Sequence, residues 1–109
     1  MEAKKRYKIV VYVPVDGGDR LREAMGAAGA GKIGNYTNCT FTMVGTGRFL
    51  PGVGANPTIG EVGKLEAVEE ERIETICETA VRKDVLLAIR ATHPYEEPAM
   101  DVYPIEVIE

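Results

Sequence analysis

Tyr7-Lys-Ile-Val-Val-Tyr-Val-Pro-Val15 is the stretch on which the fold turns. It is rich in β-branched residues, which suit a pleated and packed surface, and its alternation puts Ile9, Val11 and Val13 on one face. The other face carries Val10 and Tyr12, too apolar for open water. A strand apolar on both sides is expected to be covered twice, once by its own helices and once by a partner. The plainer alternative leaves Val10 and Tyr12 half-exposed, as apolar groups on monomers often are.

Downstream of this strand, Asp16 or Asp19 can cap a helix in which Leu21, Met25 and Ala28 recur at i, i+4 and i+7. Gly29 then supplies the left-handed residue that stops it. Residues 40–44 read as a second strand. Residues 45–64, with glycines at 45, 47, 52, 54, 60 and 63 and prolines at 51 and 57, read as one long connection, of a kind that is usually functional or mobile. A third strand is expected over 65–77, charged at its start through Glu69-Glu70-Glu71 before Ile73 and Ile76. A second helix over 79–92 places Val81, Val85 and Ile89 on its buried stripe, with Leu86 beside it. Residues 100–108 give the last strand. The order βαββαβ is the split βαβ pattern of an α+β, ferredoxin-like fold. Right-handed crossovers there put both helices on one face of a four-stranded antiparallel sheet.

Composition narrows the function classes. With 109 residues, the chain is expected to form one domain over 1–109, large enough to bury roughly two-thirds of its unfolded surface. An apolar fraction of 45% with 28% charged residues is ordinary for a globular protein, and a net charge of −4 argues against a nucleic-acid footprint, which needs a basic stripe. The basic cluster Lys4-Lys5-Arg6 reads as solvating the edge of the first strand. No run reaches the ~18 apolar residues of a membrane span, and the N-terminus lacks the apolar core of a secretion signal, so a cytoplasmic location is expected. Cys39 and Cys77 lack metal-type spacing, sit in strand-like segments and read as reduced, buried thiols. The sequons at Asn35 and Asn38 carry no meaning in a chain that is not secreted.

Two glycine spacings imitate nucleotide motifs. Gly26-Ala-Ala-Gly-Ala-Gly31-Lys32 matches the letters of a P-loop, but Ile33 replaces the magnesium-binding hydroxyl. The run also leaves a helix instead of entering one. Gly29-Ala-Gly31-Lys-Ile-Gly34 fails as a dinucleotide fingerprint for the same reason. A helix stop followed by a turn bringing Asn35 and Tyr36 near the sheet is the better reading.

His93-Pro-Tyr-Glu-Glu-Pro98 gathers the single histidine, two carboxylates and a tyrosine in one stiff turn. Each proline turns the residue before it away from helical torsions, so the helix is expected to end at His93. One reading is a bare X-Pro helix stop. Another is a divalent-metal site of His93 with Glu96 or Glu97, completed by Cys39 or a symmetry mate. Catalysis is thinner: Glu69, Glu70 and Glu71 alternate sides and form no dyad, and only fold geometry could bring Cys39 to His93. No catalytic residue is assigned.

Taken together, Gly29-Ala-Gly-Lys-Ile-Gly-Asn-Tyr36, Gly45-Thr-Gly-Arg-Phe49, Gly54-Ala-Asn-Pro57, Ile59-Gly-Glu-Val-Gly-Lys-Leu-Glu66, Val68-Glu-Glu70, Arg72-Ile-Glu74 and His93-Pro-Tyr-Glu-Glu-Pro-Ala99 closely resemble the domain inserted into bacterial YqfO-type proteins. These form the Nif-three-like dinuclear-metal-centre family. The resemblance runs from about Tyr7 to Tyr103 and implies a CutA/PII-like fold. In that family the metal ligands lie in flanking halves that have no counterpart among these residues, so a hydrolase or cyclohydrolase activity does not carry over. What the resemblance implies is a stand-alone, non-catalytic binding or regulatory module. By fold analogy it would be a homo-oligomer, with a trimer favoured, contacting a ligand or protein partner through Asn35, Tyr36, Arg48, Phe49, Asn56 and Tyr95. The alternative is a CutA-like protein binding a divalent metal ion through His93, Glu96 and Glu97.

Overall fold

The computed structural model describes residues 3–108. β1 (Ala3–Pro14), α1 (Gly18–Ala27), β2 (Phe41–Phe49), β3 (Glu66–Cys77), α2 (Arg82–Thr92) and β4 (Met100–Ile108) follow one another as βαββαβ. One sheet orders the strands β2-β3-β1-β4, each neighbour antiparallel. This is the ferredoxin-like arrangement expected from the sequence. Short 3-10 turns at Val15–Gly17 and Thr79–Val81 lead into the helices.

The central place of β1 follows from its composition. Ile9, Val11 and Val13 are fully buried. Val11 lies in register between Ile73 of β3 and Met100 of β4, and Ile9 between Thr75 and Val102. Leu21 and Met25 of α1 and Val85 and Ile89 of α2 close over them, so both helices occupy one face. α1 ends at Gly29 as expected. Its φ is +109°, its N–H donates to the Gly26 carbonyl at 3.0 Å, and the Ala30 N–H donates to Met25 at 3.0 Å, the paired bonds of a Schellman closure.

The expected N-cap is corrected. The cap position falls on Gly17 and has no side-chain hydrogen bond. The 3-10 turn takes up Asp16, while Asp19 lies within the first turn of α1 and accepts from Arg22 at 2.7 Å.

Two strand boundaries also differ. β1 starts at Ala3, so Lys4, Lys5 and Arg6 are paired with Val107, Glu106 and Ile105 of β4. They face an open edge only on the other side, because β3 begins to pair with β1 at Tyr7↔Cys77. β2 starts after Cys39 and Thr40 and continues through Gly45 and Gly47 to Phe49, so the expected loop shortens to residues 50–65. Glycine usually marks a turn, but in an edge strand it also marks close approach. At Gly47 the Glu70 carboxylate occupies the space a Cβ would need.

The helix-free face is more polar than β1 alone suggests. Val10 is only 1% exposed within the chain itself, so it does not require a partner to cover it. Beside it the Arg72 guanidinium donates to the Tyr12 hydroxyl at 2.7 Å and to Glu74 at 3.1 Å, and Lys8 lies 3.6 Å from Glu74. The large apolar groups this face does expose are Phe41, Met43 and Tyr103. No helix among the described residues is long and apolar enough to cross a membrane.

Candidate functional site

The turn after α2 is held by His93. Its φ of −66° and ψ of 135° are extended, as a residue before proline requires. The ring is buried, with Nε2 2.6 Å from the Tyr12 carbonyl and Nδ1 3.0 Å from the Tyr95 N–H. A carbonyl can only accept and an N–H can only donate, so Nε2 carries the proton and Nδ1 uses its lone pair. His93 thereby ties the turn to β1, helped by the Tyr12 N–H donating to Ala99 at 3.0 Å.

The loop over 50–65 is fastened to the same turn. The Thr58 hydroxyl donates to the Pro94 carbonyl at 2.7 Å, and the Asn56 N–H donates to the Glu96 carboxylate at 2.9 Å. Tyr95 projects between the two segments. Its ring meets Phe49 edge-on at 5.8 Å and the His93 ring at 5.3 Å. These contacts frame a half-open cavity of about 380 Å³ lined by Tyr12, Phe49, Tyr95, Glu70, Glu96 and Glu97, with Leu50, Pro51, Pro57 and Ile59 of the loop on one side.

One polar group in this cavity lacks a hydrogen-bond partner. The Tyr95 hydroxyl is buried and makes no hydrogen bond among the described residues. Burial, reinforced by the Glu70 carboxylate, pushes its pKa up to about 12, although the two groups do not meet at full hydrogen-bonding geometry. Glu70 is only 9% exposed.

The expected site residues separate into two groups. Arg48, Phe49 and Tyr95 converge on the cavity, and Asn56 supports it through its backbone. Asn35 and Tyr36 do not line it. They lie in a tight turn closed by two Ile33–Tyr36 hydrogen bonds of 3.0 and 2.9 Å, with Tyr36 exposed. His93, Glu96 and Glu97 form no assembled metal site within one chain. His93 has no free lone pair, Glu96 caps Asn56, and no three His, Cys, Asp or Glu side chains among the described residues group to hold an ion. Nor does a Cys–His pair form, since the His93 ring is bonded to Tyr12 and Tyr95 and the Cys39 thiol points toward the Thr37 carbonyl.

Sequence reasoning passed over Tyr12 and Glu70. One was absorbed into an apolar strand and the other into a run of three glutamates. Only the strand register brings both to the cavity.

No family model matches the chain. It is 54% identical over 99 residues to the protein named GTP cyclohydrolase 1 type 2 homolog of Halalkalibacterium halodurans, an alignment covering 91% of this chain and 27% of that protein. The chain thus spans little more than a quarter of the length of the curated relatives it matches. Among solved structures, a Bacillus cereus protein related to NIF3 superposes with a TM-score of 0.81 at 48% identity, over 96% of this chain and 27% of that one. The periplasmic divalent cation tolerance protein CutA of Archaeoglobus fulgidus shares the fold alone, at TM-score 0.66 and 18% identity over 92% of this chain and 83% of its own.

Proposed function

We propose, from the premise that this chain belongs to the NIF3-related (YqfO-type) family as the counterpart of one segment of those proteins, that it is a non-catalytic, homo-oligomeric binding or regulatory module of the cytoplasm. The observation that carries this reading is the cavity beneath residues 50–59, lined by aromatic rings and carboxylates in place of a nucleophile with its base. Such a concave, largely apolar site with a few fixed polar groups is the usual form of a ligand pocket.

Oligomerisation is supported by Phe41, Met43 and Tyr103, exposed on the face that no helix covers. Closed symmetry would bury them against copies of themselves, and the trimer is the state that analogy with the CutA-like fold favours. The exposed Leu50, Val53 and Val62 make the loop the candidate contact for a protein partner. The divalent-metal alternative would require His93 to give up a hydrogen bond.

Native mass spectrometry of the protein as purified tests the reading, with a trimer expected. A monomer would overturn the oligomeric part. A stoichiometric divalent ion that disappears in His93→Ala would bring the metal reading back.

A further inference from the structure

We infer that the cavity takes an organic cation, an alkylammonium or guanidinium group, seated on the Glu70 carboxylate among the rings of Tyr12, Phe49 and Tyr95. This rests on the binding-module reading and names the class of its ligand.

Glu70 is the starting point, as it is about nine-tenths buried and lines the cavity. Among the described residues no lysine, arginine or histidine forms an ion pair with it. Arg72, two residues along the same face of β3, is already committed to Glu74 and Tyr12. A carboxylate withdrawn from water without a cation is costly, and here it lies beside the Tyr95 hydroxyl, a buried group with no hydrogen-bond partner among the described residues. Buried polar groups are normally satisfied, so an unpartnered hydroxyl beside a buried carboxylate that has no ion pair marks a place for a bound partner.

The surroundings fix the sign of that partner's charge. Glu70, Glu96 and Glu97 line the cavity against a single guanidinium, that of the exposed Arg48. An anionic ligand would meet three carboxylates. A cation would meet them favourably and could also lie against ring faces, an attraction that strengthens as water is excluded. Gly47 belongs to the same design, because any side chain there would displace the Glu70 carboxylate. A cavity of about 380 Å³ accommodates a small flexible amine or a single arginine-like side chain.

Isothermal titration calorimetry on the whole chain tests this with agmatine, which carries a guanidinium and an ammonium, and with ATP as the anionic comparison. Saturable agmatine binding is expected, weakened at least about tenfold by Glu70→Gln, the loss of one charge-assisted contact, and several-fold by Phe49→Leu. Thermal melts establish that both variants fold. If agmatine does not bind but Glu70→Gln shifts the oligomer toward monomer, the cation is a lysine or arginine side chain of a second copy and the inference holds. ATP binding without agmatine binding overturns the cation and leaves the binding module standing. Agmatine affinity unaltered by Glu70→Gln overturns the role of Glu70. A monomer that binds neither probe overturns both readings.

Discussion

The two faces of this sheet are built from the same strands to opposite ends. On the helix side, Ile9, Val11, Val13 and Ile73 are wholly buried and meet Leu21, Met25, Val85 and Ile89. On the other side Arg72 joins Tyr12 and Glu74 by hydrogen bonds and an ion pair, Glu70 lies beside them without one, and Phe41 and Met43 are left exposed. Apolar burial is non-directional and stabilises whatever ligand is present. The Tyr95 hydroxyl, buried at the edge of this face, has no hydrogen-bond partner among the described residues. The first face accounts for why the chain folds, and the second is where the proposed site lies.

The largest expected effect lies on the helix side. Ile73→Ala should cost about 2–5 kcal/mol in urea unfolding, because it opens a cavity where β3 packs on β1. Met43→Ala, on the exposed face of the same sheet, should stay within about 0.5 kcal/mol at concentrations where the chain is monomeric. Equal losses at the two positions would break the comparison. His93→Ala comes next, at about 2–3 kcal/mol, since it strands the Tyr12 carbonyl and the Tyr95 N–H. Backbone amide exchange should also quicken across residues 93–99 while the helix-side core stays protected, which would separate anchoring of the turn from packing of the core.

The same contrast explains what was legible in the sequence. Ile9, Val11 and Val13 announce a strand by composition, and Leu21 with Met25 a helix by spacing, because burial on one face leaves a periodic trace. Gly29 was legible as a stop because few other residues accept its positive φ. Gly45 and Gly47 misled, as glycine signals a turn and a close approach with the same letter, and only the Glu70 carboxylate lying over Gly47 tells them apart. Phe49 and Tyr95 stood out as aromatics in turn-like segments. Tyr12 and Glu70 did not, because they reach the cavity through a register that pairs β1 with β3 across some sixty residues of chain.

The smallest expected effect is the most specific to the cavity. The Tyr95 hydroxyl has an ordinary pKa of 10.0, pushed up to about 12 by burial and then by Glu70. The folded chain therefore keeps this proton after the unfolded chain has lost it. Proton linkage then makes stability fall as pH rises from about 10 toward about 12, with no contribution below that window. The ring is partly exposed, so solvent screening trims the fall. Tyr95→Phe should remove this component and give a flatter curve over the same window. Near neutral pH the variant should match the parent within about 1 kcal/mol, since the hydroxyl makes no hydrogen bond to lose. Parallel curves through the whole alkaline range would mean that the hydroxyl reaches water, and Glu70 would then face an open groove. A steeper fall in the parent alone would mean that tyrosine and carboxylate share a confined space, the condition under which a bound cation gains most from both.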